Sequence, residues 1–150
     1  MIAWGNYIGW NNKGTGNPGK GPEILLDEYP GAAVAYSLRN LSSSTTNVVR
    51  VRRSSNDDEQ DFTASEVSGG ALTTFVGAGN DGFVTTWYDQ SGNNNNATQT
   101  SASQQPKIVD SGSLILDNGK PIIQNVAGGR LQVDALLTNT SPVTQFNLGS

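Results

Sequence analysis

The side chains with the clearest potential for binding chemistry lie close together near the middle of the sequence. They combine two aromatic rings with a carboxylate, amides and a hydroxyl: Trp87, Tyr88, Asp89, Gln90, Ser91 and Asn93. The polar groups could hydrogen-bond the hydroxyls of a sugar while an aromatic ring stacks on its pyranose face. Alternatively, Asp89 caps a turn by accepting backbone N–H bonds and Trp87 fills the core. We favour this second interpretation, because strand alternation points Trp87 inward together with Phe83.

Acidic and basic side chains cluster upstream of this group. Three arginines precede four acids: Arg50, Arg52, Arg53, Asp57, Asp58, Glu59 and Asp61. The acids could hold a calcium ion, but the glycine-centred twelve-residue calcium loop is absent, so we interpret them as a solvated turn and predict no metal site. The arginines could bind phosphate or a sugar carboxylate. Pairing with the nearby acids across a hairpin is the stronger prediction.

The composition restricts catalysis to carboxylate chemistry. The chain has no cysteine and no histidine, which excludes disulfides, thiol nucleophiles and a Ser-His-Asp site. A glycosidase needs two carboxylates about 5–10 Å apart, and Asp61 and Asp89 could approach each other across a sandwich. Residues 77–82 resemble a glycine-rich phosphate loop but lack its lysine and its following helix, so we expect a tight turn. We predict no catalytic residue and no cofactor.

Length and composition favour one all-β domain. Of the 150 residues, 35% are hydrophobic and 15% are charged, and turn-forming polar residues and glycine make up the balance. The net charge of −4 argues against a duplex nucleic-acid partner. The longest apolar run is far short of the ~20 residues of a membrane helix, and the first residues lack the pattern of a secretory signal. We therefore expect no nucleic-acid partner and no membrane insertion.

Short strands separated by polar turns are predicted along most of the chain. The predicted strands lie at 31–39, which reads as buried, and at 48–53, 83–88, 106–109 and 131–137. Loops are predicted at 41–47, 56–61, 77–82 and 93–96. Residues 23–30 fit a turn or short helix, and residues 72–76 fit a strand or short helix. The clearest hairpin signal is at 114–123, where two apolar segments flank Asn118 and Gly119.

Residues 1–22 differ from the remainder, and we assign them to an N-terminal arm that precedes a domain at 23–150. The arm contains six glycines and four asparagines. Its aromatic residues, Trp4, Tyr7 and Trp10, either pack on the domain's own surface or anchor the arm on another subunit. We prefer the anchor, because the glycine-rich spacer gives the arm reach.

Six short motifs occur in the order found in a known family. They are AYSLR at 35–39, VRVRRSS at 49–55, EQDF at 59–62, TWYDQSGN at 86–93, ATQ at 97–99 and QPKIV at 105–109. Over residues 25–125 the chain resembles the concanavalin A-like β-sandwich domain of bacteriophage structural proteins. It is also similar to the start of the catalytic domain of fungal α-L-arabinofuranosidases of the B type. The resemblance implies a sandwich with a structural or sugar-binding role.

The resemblance does not extend to a catalytic site. Those arabinofuranosidases carry their nucleophile and acid downstream of the shared segment and use cysteines, which this chain lacks. Lectin-like sandwiches usually exceed the ~125 residues that follow the arm. We therefore expect an incomplete sandwich at 23–150, completed by further sequence or by a neighbouring subunit.

The resemblance, together with the composition of the arm, implies a non-enzymatic virion component, such as a capsid decoration, head fibre or tail appendage. In the phage relatives, such domains often follow a short N-terminal arm. The arm would dock on other virion proteins, and the sandwich would act as a carbohydrate adhesin for host surface glycans. A homo-oligomer would raise a weak sugar affinity through avidity. The alternative is a glycoside hydrolase fragment of the arabinofuranosidase type.

Overall fold

The computed structural model describes residues 24–133, so the predicted arm at 1–22 lies outside the described residues. The helices are α1 (Leu25–Glu28), α2 (Ala64–Ser68) and α3 (Ala71–Val76), and a 3-10 turn spans Ala102–Gln104. The strands are β1 (Asn47–Arg53), β2 (Glu59–Thr63), β3 (Gly82–Trp87), β4 (Ala97–Thr98), β5 (Lys107–Asp110), β6 (Ser113–Leu114), β7 (Leu116–Asp117) and β8 (Lys120–Pro121).

Six of these strands form one curled antiparallel sheet. Its order is β2-β1-β3-β5-β6, and β4 pairs with the opposite end of β3 from β5. Strands β7 and β8 form a separate hairpin. The described residues therefore have an all-β fold with few and short helices, and three of the predicted strands correspond to β1, β3 and β5.

The core lies on the inner face of the large sheet. It consists of ten buried apolar side chains: Val48, Val49, Val51, Phe62, Val67, Leu72, Val76, Val84, Ile108 and Val109. Strand β1 supplies three of them, because β-branched residues suit an extended strand. As predicted, Val49 and Val51 are buried, while Arg50 and Arg52 lie on the opposite face. Each such buried side chain contributes roughly 1.5–3 kcal/mol of hydrophobic stabilisation.

Two short helices cover part of this core. Helix α2 begins with a capping box, in which the Glu66 N–H donates to Thr63 Oγ1 at 3.3 Å and the Thr63 N–H donates to Glu66 Oε2 at 2.8 Å. Gly70, at φ 92°, then turns the chain into α3 through a conformation that other residues disfavour. The segment that fitted a strand or a short helix is therefore helical. Among residues 24–133, no helix has the length and apolarity that crossing a bilayer requires.

A β-bulge in β3 places Phe83 and Trp87 on opposite faces of the sheet. Consecutive residues of β1 pair with Val84 and then with Thr86, so Thr85 is an extra residue. The extra residue shifts the alternation, and Trp87 therefore shares the inner face with Val84. Phe83 lies on the outer face, where a guanidinium of β1 sits 4.9 Å from its ring centroid. The prediction that Phe83 points inward with Trp87 was wrong, because uniform alternation does not include a bulge.

Residues 31–39 do not form the predicted buried strand. Within the described residues the segment pairs with no strand, and its residues are half-buried or exposed. Its glycine and alanines are weak strand formers, and Gly31 adopts a φ of 94°. The backbone groups of this segment bond instead to side chains of the loop that follows β3.

The hairpin predicted from the Asn-Gly pair is confirmed. Asn118 at φ 47° and Gly119 at φ 72° form the turn between β7 and β8, and both angles suit a type I′ turn. The acidic turn is shorter than predicted, because β2 already begins at Glu59. Of the candidate strand at 131–137, the first three residues are described, and Gln132 makes an isolated bridge to β4. The remainder of that segment lies outside the described residues.

Candidate functional site

Asp89 connects the segment before β1 (residues 31–41) to the loop after β3 by hydrogen bonds. The residue is 6% exposed, and its carboxylate accepts four hydrogen bonds. Oδ1 accepts from the backbone N–H of Ala35 at 2.8 Å and of Ser91 at 2.9 Å. Oδ2 accepts from the Ser91 hydroxyl at 2.7 Å and from the Asn95 N–H at 3.1 Å. Burial raises the pKa of Asp89, but these hydrogen bonds outweigh it and bring the pKa below the ordinary aspartate range.

Gln90 strengthens the same connection. It is 1% exposed, and its Oε1 accepts the Leu41 N–H at 2.7 Å. Its Nε2 donates to the carbonyls of Ser37 and Arg39, each at 2.9 Å. One side chain thus satisfies three backbone groups of a segment that lacks a strand partner among the described residues. This is the structural role that a buried glutamine amide can fill, because it both donates and accepts.

The other predicted sugar-binding residues divide between this loop and the sheet. Asn93 Nδ2 donates to the carbonyls of residues 32–33 at 2.9 and 3.1 Å. Tyr88 lies on the outer face, where its hydroxyl donates to Asp61 Oδ1 at 2.8 Å. Most polar atoms of this group already have hydrogen-bond partners within the chain. Sugar binding by the group stays a prediction. Trp87 is the member of the group that lines an open groove.

The groove has a volume of about 1120 Å³ and lies beside the core. Its walls come from the segment before β1, from α2, from the end of the β7–β8 hairpin and from the residues that follow this hairpin. The apolar lining includes Leu38, Pro121, Ile123, Leu131 and Val133. Three of these, Leu38, Ile123 and Leu131, also pack against the core. The groove is therefore the place where the core continues into an accessible apolar surface.

Tyr36 and Trp87 form an aromatic pair in this groove. Their ring centroids lie 5.6 Å apart, with the ring planes inclined by 39°. The Tyr36 hydroxyl donates to the Asn95 carbonyl, which fixes the ring. Burial, with a smaller effect from the Asp89 carboxylate, raises the pKa of Tyr36. The Trp87 indole Nε1–H is buried and has no acceptor among the described residues. Half-buried rings of this kind offer a stacking face to a ligand.

Three cations line the groove, and none of the lining residues within 24–133 is an aspartate or glutamate. Arg39, Lys120 and Arg130 are all exposed. None of them makes an ion pair with any of the described residues. The groove thus carries positive charge in a chain whose net charge is −4.

Ion pairs join the arginines of β1 to the acidic turn and to β2. The pairs are Arg50–Asp61 at 2.6 Å, Arg52–Asp57 at 2.5 Å and Arg53–Asp58. The prediction that these arginines pair with nearby acids is confirmed. Within residues 24–133, no group of three or more acidic, histidine or cysteine side chains is arranged to hold a metal ion.

The two candidate acids belong to separate networks. The hydrogen bond from Arg50 lowers the pKa of Asp61, although burial opposes it. Burial and the hydrogen bond to Asp61 raise the pKa of Tyr88 to about 12. Asp89 serves the segment before β1, and its pKa is also lowered. A glycosidase that works near neutral pH needs one carboxyl group with a raised pKa as its proton donor. Asp61 and Asp89 both have the opposite shift.

In comparisons with known proteins, no family model, no curated protein and no solved structure matches this chain. The fold and the site define its class directly. It is an all-β domain with one large sheet, a segment fastened by buried side chains, and an open aromatic groove that carries positive charge.

Sequence reasoning missed most of this groove. Tyr36 and Arg39 lie in the segment that was predicted to be a buried strand, and Tyr36 belongs to one of the motifs of the family resemblance. Lys120 follows the hairpin turn, and Arg130 lies in a segment without a clear pattern. The groove residues come from several distant parts of the chain, so no local spacing could reveal that they meet.

Proposed function

We propose that this chain is a non-enzymatic sugar-binding domain with a concanavalin A-like sandwich architecture, carried as a structural component of a bacteriophage particle. The observation that carries the proposal is the open groove with its aromatic pair, Tyr36 and Trp87. The predicted loop residues contribute by holding this groove together, because Asp89 and Gln90 fix the segment that contains Tyr36.

The size and lining of the groove suit a short oligosaccharide. Small-molecule sites usually measure about 300–1,000 Å³, and this groove of about 1120 Å³ is open along one side. Aromatic rings provide a flat apolar face for the C–H side of a pyranose. The amides of Asn40 and Asn125 also line the groove and can both donate to and accept from sugar hydroxyls.

The state of the carboxylates supports binding without hydrolysis. Asp61 is held by Arg50 and Tyr88, and Asp89 by three backbone N–H groups and a hydroxyl. Both pKa values are lowered, so both side chains are anionic near neutral pH. Within residues 24–133, the groove lining contains no carboxylate that could act as a nucleophile or a proton donor.

The place on a virion rests on the family resemblance and on the composition of residues 1–22. The motifs that carry the resemblance include residues 35–39 and 86–93, and these two segments are joined by the hydrogen bonds of Asp89 and Gln90. An arm with Trp4, Tyr7 and Trp10 would attach the domain to another subunit. Several copies on one particle would raise a weak sugar affinity through avidity.

Sugar binding is tested by titrating the full chain with an oligosaccharide selected from a glycan array. Loss of the ring in Tyr36→Ala should weaken binding about three- to tenfold, the value of one aromatic stacking contact. Tyr36→Phe keeps the ring but loses the hydrogen bond to the Asn95 carbonyl, so it should bind more tightly than Tyr36→Ala and close to the parent chain. Tyr29→Ala is the matched control, because Tyr29 is 69% exposed and does not line the groove. Absence of binding to every glycan on the array would refute the sugar-binding role.

The virion role is tested by peptide-mapping mass spectrometry on purified particles and on matching host-cell fractions. Enrichment of peptides from residues 24–133 in particles is the expected result. Deletion of residues 1–22 should abolish incorporation, whereas the Tyr36→Ala variant should still be incorporated. Finding the protein in host fractions but not in particles would refute the virion role, and polysaccharide-hydrolysis assays would then test the glycoside hydrolase alternative.

A further inference from the structure

The charges of the described residues are distributed unevenly. Seven lysines and arginines lie within residues 24–133. Four of them are paired with acids: Arg50, Arg52, Arg53 and Lys107. The three that make no ion pair with the described residues, Arg39, Lys120 and Arg130, all line the same groove.

From this arrangement we propose that the groove binds acidic glycans, meaning sugars that carry carboxylate or sulfate groups. The inference rests on the sugar-binding function proposed above and specifies its ligand. The guanidinium groups of Arg39 and Arg130 can each hold a carboxylate or sulfate with two parallel hydrogen bonds, and Lys120 supplies a point charge. The rings of Tyr36 and Trp87 contact the apolar faces of the same sugar units.

Among the described lining residues, three cations can meet an anionic group, and no carboxylate is present to accept from sugar hydroxyls. Sites for neutral sugars need acceptors as well as donors for the hydroxyl groups, and carboxylates are strong acceptors. Here the charged lining side chains are all donors, so an anionic ligand satisfies them better than a hydroxyl does. The overall charge of −4 would repel an acidic glycan elsewhere on the protein and so favours its binding in the groove.

The same charges argue against a second copy of this chain as the occupant. A two-fold interface places the same patch on both partners. Two copies joined at this groove would bring Arg39, Lys120 and Arg130 of each close together, and no acid among the described lining residues compensates for them. Like charges placed together at an interface oppose association.

The experiment compares charged and neutralised forms of the same sugars, using the full chain and isothermal titration calorimetry. The probes are an oligogalacturonate with its methyl ester, and a sulfated heparin-type oligosaccharide with its desulfated, carboxyl-reduced and N-acetylated form. We expect at least one acidic probe to bind at least about tenfold more tightly than its neutral form. One hydrogen bond between charged groups increases affinity by about that factor. Binding of this probe should weaken when NaCl rises from about 50 mM to about 200 mM.

Variants locate the binding to the groove. Arg39→Gln and Arg130→Gln should each weaken binding of the acidic probe about tenfold and leave the neutral form unaffected. Arg53→Gln removes the same charge at a position that does not line the groove, and it should retain the parent affinity. Circular dichroism of each variant checks that the fold is kept. Equal losses for all three variants would show a nonspecific charge effect and overturn the inference.

The outcomes separate this inference from the proposed function. If the neutral forms bind as tightly as the acidic ones, the groove is a sugar site but the acidic ligand is wrong. If no probe binds and the glycan array is also blank, both the inference and the sugar-binding function fail. Tighter binding of an oligoglutamate peptide of matched charge would overturn the inference in favour of an acidic protein partner. Concentration-dependent dimerisation that Arg39→Gln and Arg130→Gln alter would overturn it in favour of a second copy.

Discussion

The replacement Asp89→Asn is the most direct test of how the segment before β1 is held. The carboxylate accepts hydrogen bonds from three backbone N–H groups and one hydroxyl, at 2.7 to 3.1 Å. Asparagine has nearly the same shape but presents an NH₂ group in place of one oxygen. If Oδ1 is replaced, the N–H groups of Ala35 and Ser91 lose their acceptor. If Oδ2 is replaced, the N–H of Asn95 loses its acceptor.

The expected loss of stability follows from the number of N–H groups that lose their acceptor. Each buried donor left without an acceptor costs about 1–3 kcal/mol, and the remaining bonds lose their charge assistance. We therefore expect Asp89→Asn to lower the free energy of unfolding by about 2–4 kcal/mol, out of the roughly 5–15 kcal/mol typical of a domain. Asp117→Asn is the matched control, because Asp117 is exposed on the β7–β8 hairpin, and it should change stability by less than about 0.5 kcal/mol.

The assay is urea denaturation followed by circular dichroism, with the midpoint expected to fall by about 1–2 M for Asp89→Asn. Hydrogen exchange should show faster exchange at Ala35 and Leu41, whose N–H groups depend on Asp89 and Gln90. A stability change in Asp89→Asn no larger than that of the control would refute the structural role of this carboxylate.

The pH dependence of stability gives a second test of the hydrogen bonds to Asp89. The folded pKa of Asp89 lies below its unfolded value, so the group contributes stability that is present above the unfolded pKa. This contribution is lost as the pH falls through the folded pKa. The parent chain should therefore lose more stability on acidification than Asp89→Asn does, and equal acid sensitivity of the two chains would contradict the assignment.

Two further predictions concern the sheet and its turns. Tyr88 should titrate near pH 12, because burial and its hydrogen bond to Asp61 raise its pKa; ultraviolet absorbance follows the phenolate, and in Asp61→Asn the pKa should move back toward 10. Gly112→Ala should destabilise the fold by about 2–4 kcal/mol, because φ is 83° and the new Cβ would lie 2.8 Å from the Ala78 Cα. Gly119→Ala, with a similar φ but open space around it, should cost about 1–2 kcal/mol in the same urea assay, and equal losses would contradict the close contact at Gly112.

Local patterns predicted those elements whose partners lie nearby in the sequence. Strand β1 follows from alternating valines and arginines, and the β7–β8 hairpin follows from Asn118 and Gly119, which accept left-handed angles. The ion pairs of the arginines with the acidic turn join residues that a hairpin brings opposite each other. In each case the deciding interaction joins residues that are close in the sequence, so a local pattern reveals it.

The faces of β3 and the segment at 31–39 could not be predicted in this way. A bulge at Thr85 changes which residues face the core, and nothing in the local composition marks it. The segment at 31–39 reads as a buried strand because its residues are small and apolar. The segment is held instead by hydrogen bonds to Asp89 and Gln90, and the bonded residues lie more than 50 positions apart in the sequence.

The sequence by itself determined the all-β class, the absence of histidine and cysteine chemistry, and the hairpin turn, because composition and short-range sterics are local properties. The tertiary structure decided what the polar loop after β3 does and where the groove lies. Hydrogen bonds between distant segments engage Asp89 and Gln90, and the folded sheet brings Tyr36 and Trp87 within 5.6 Å of each other. Arg39, Lys120 and Arg130 line the same groove only because long-range packing, which no local pattern encodes, assembles its walls.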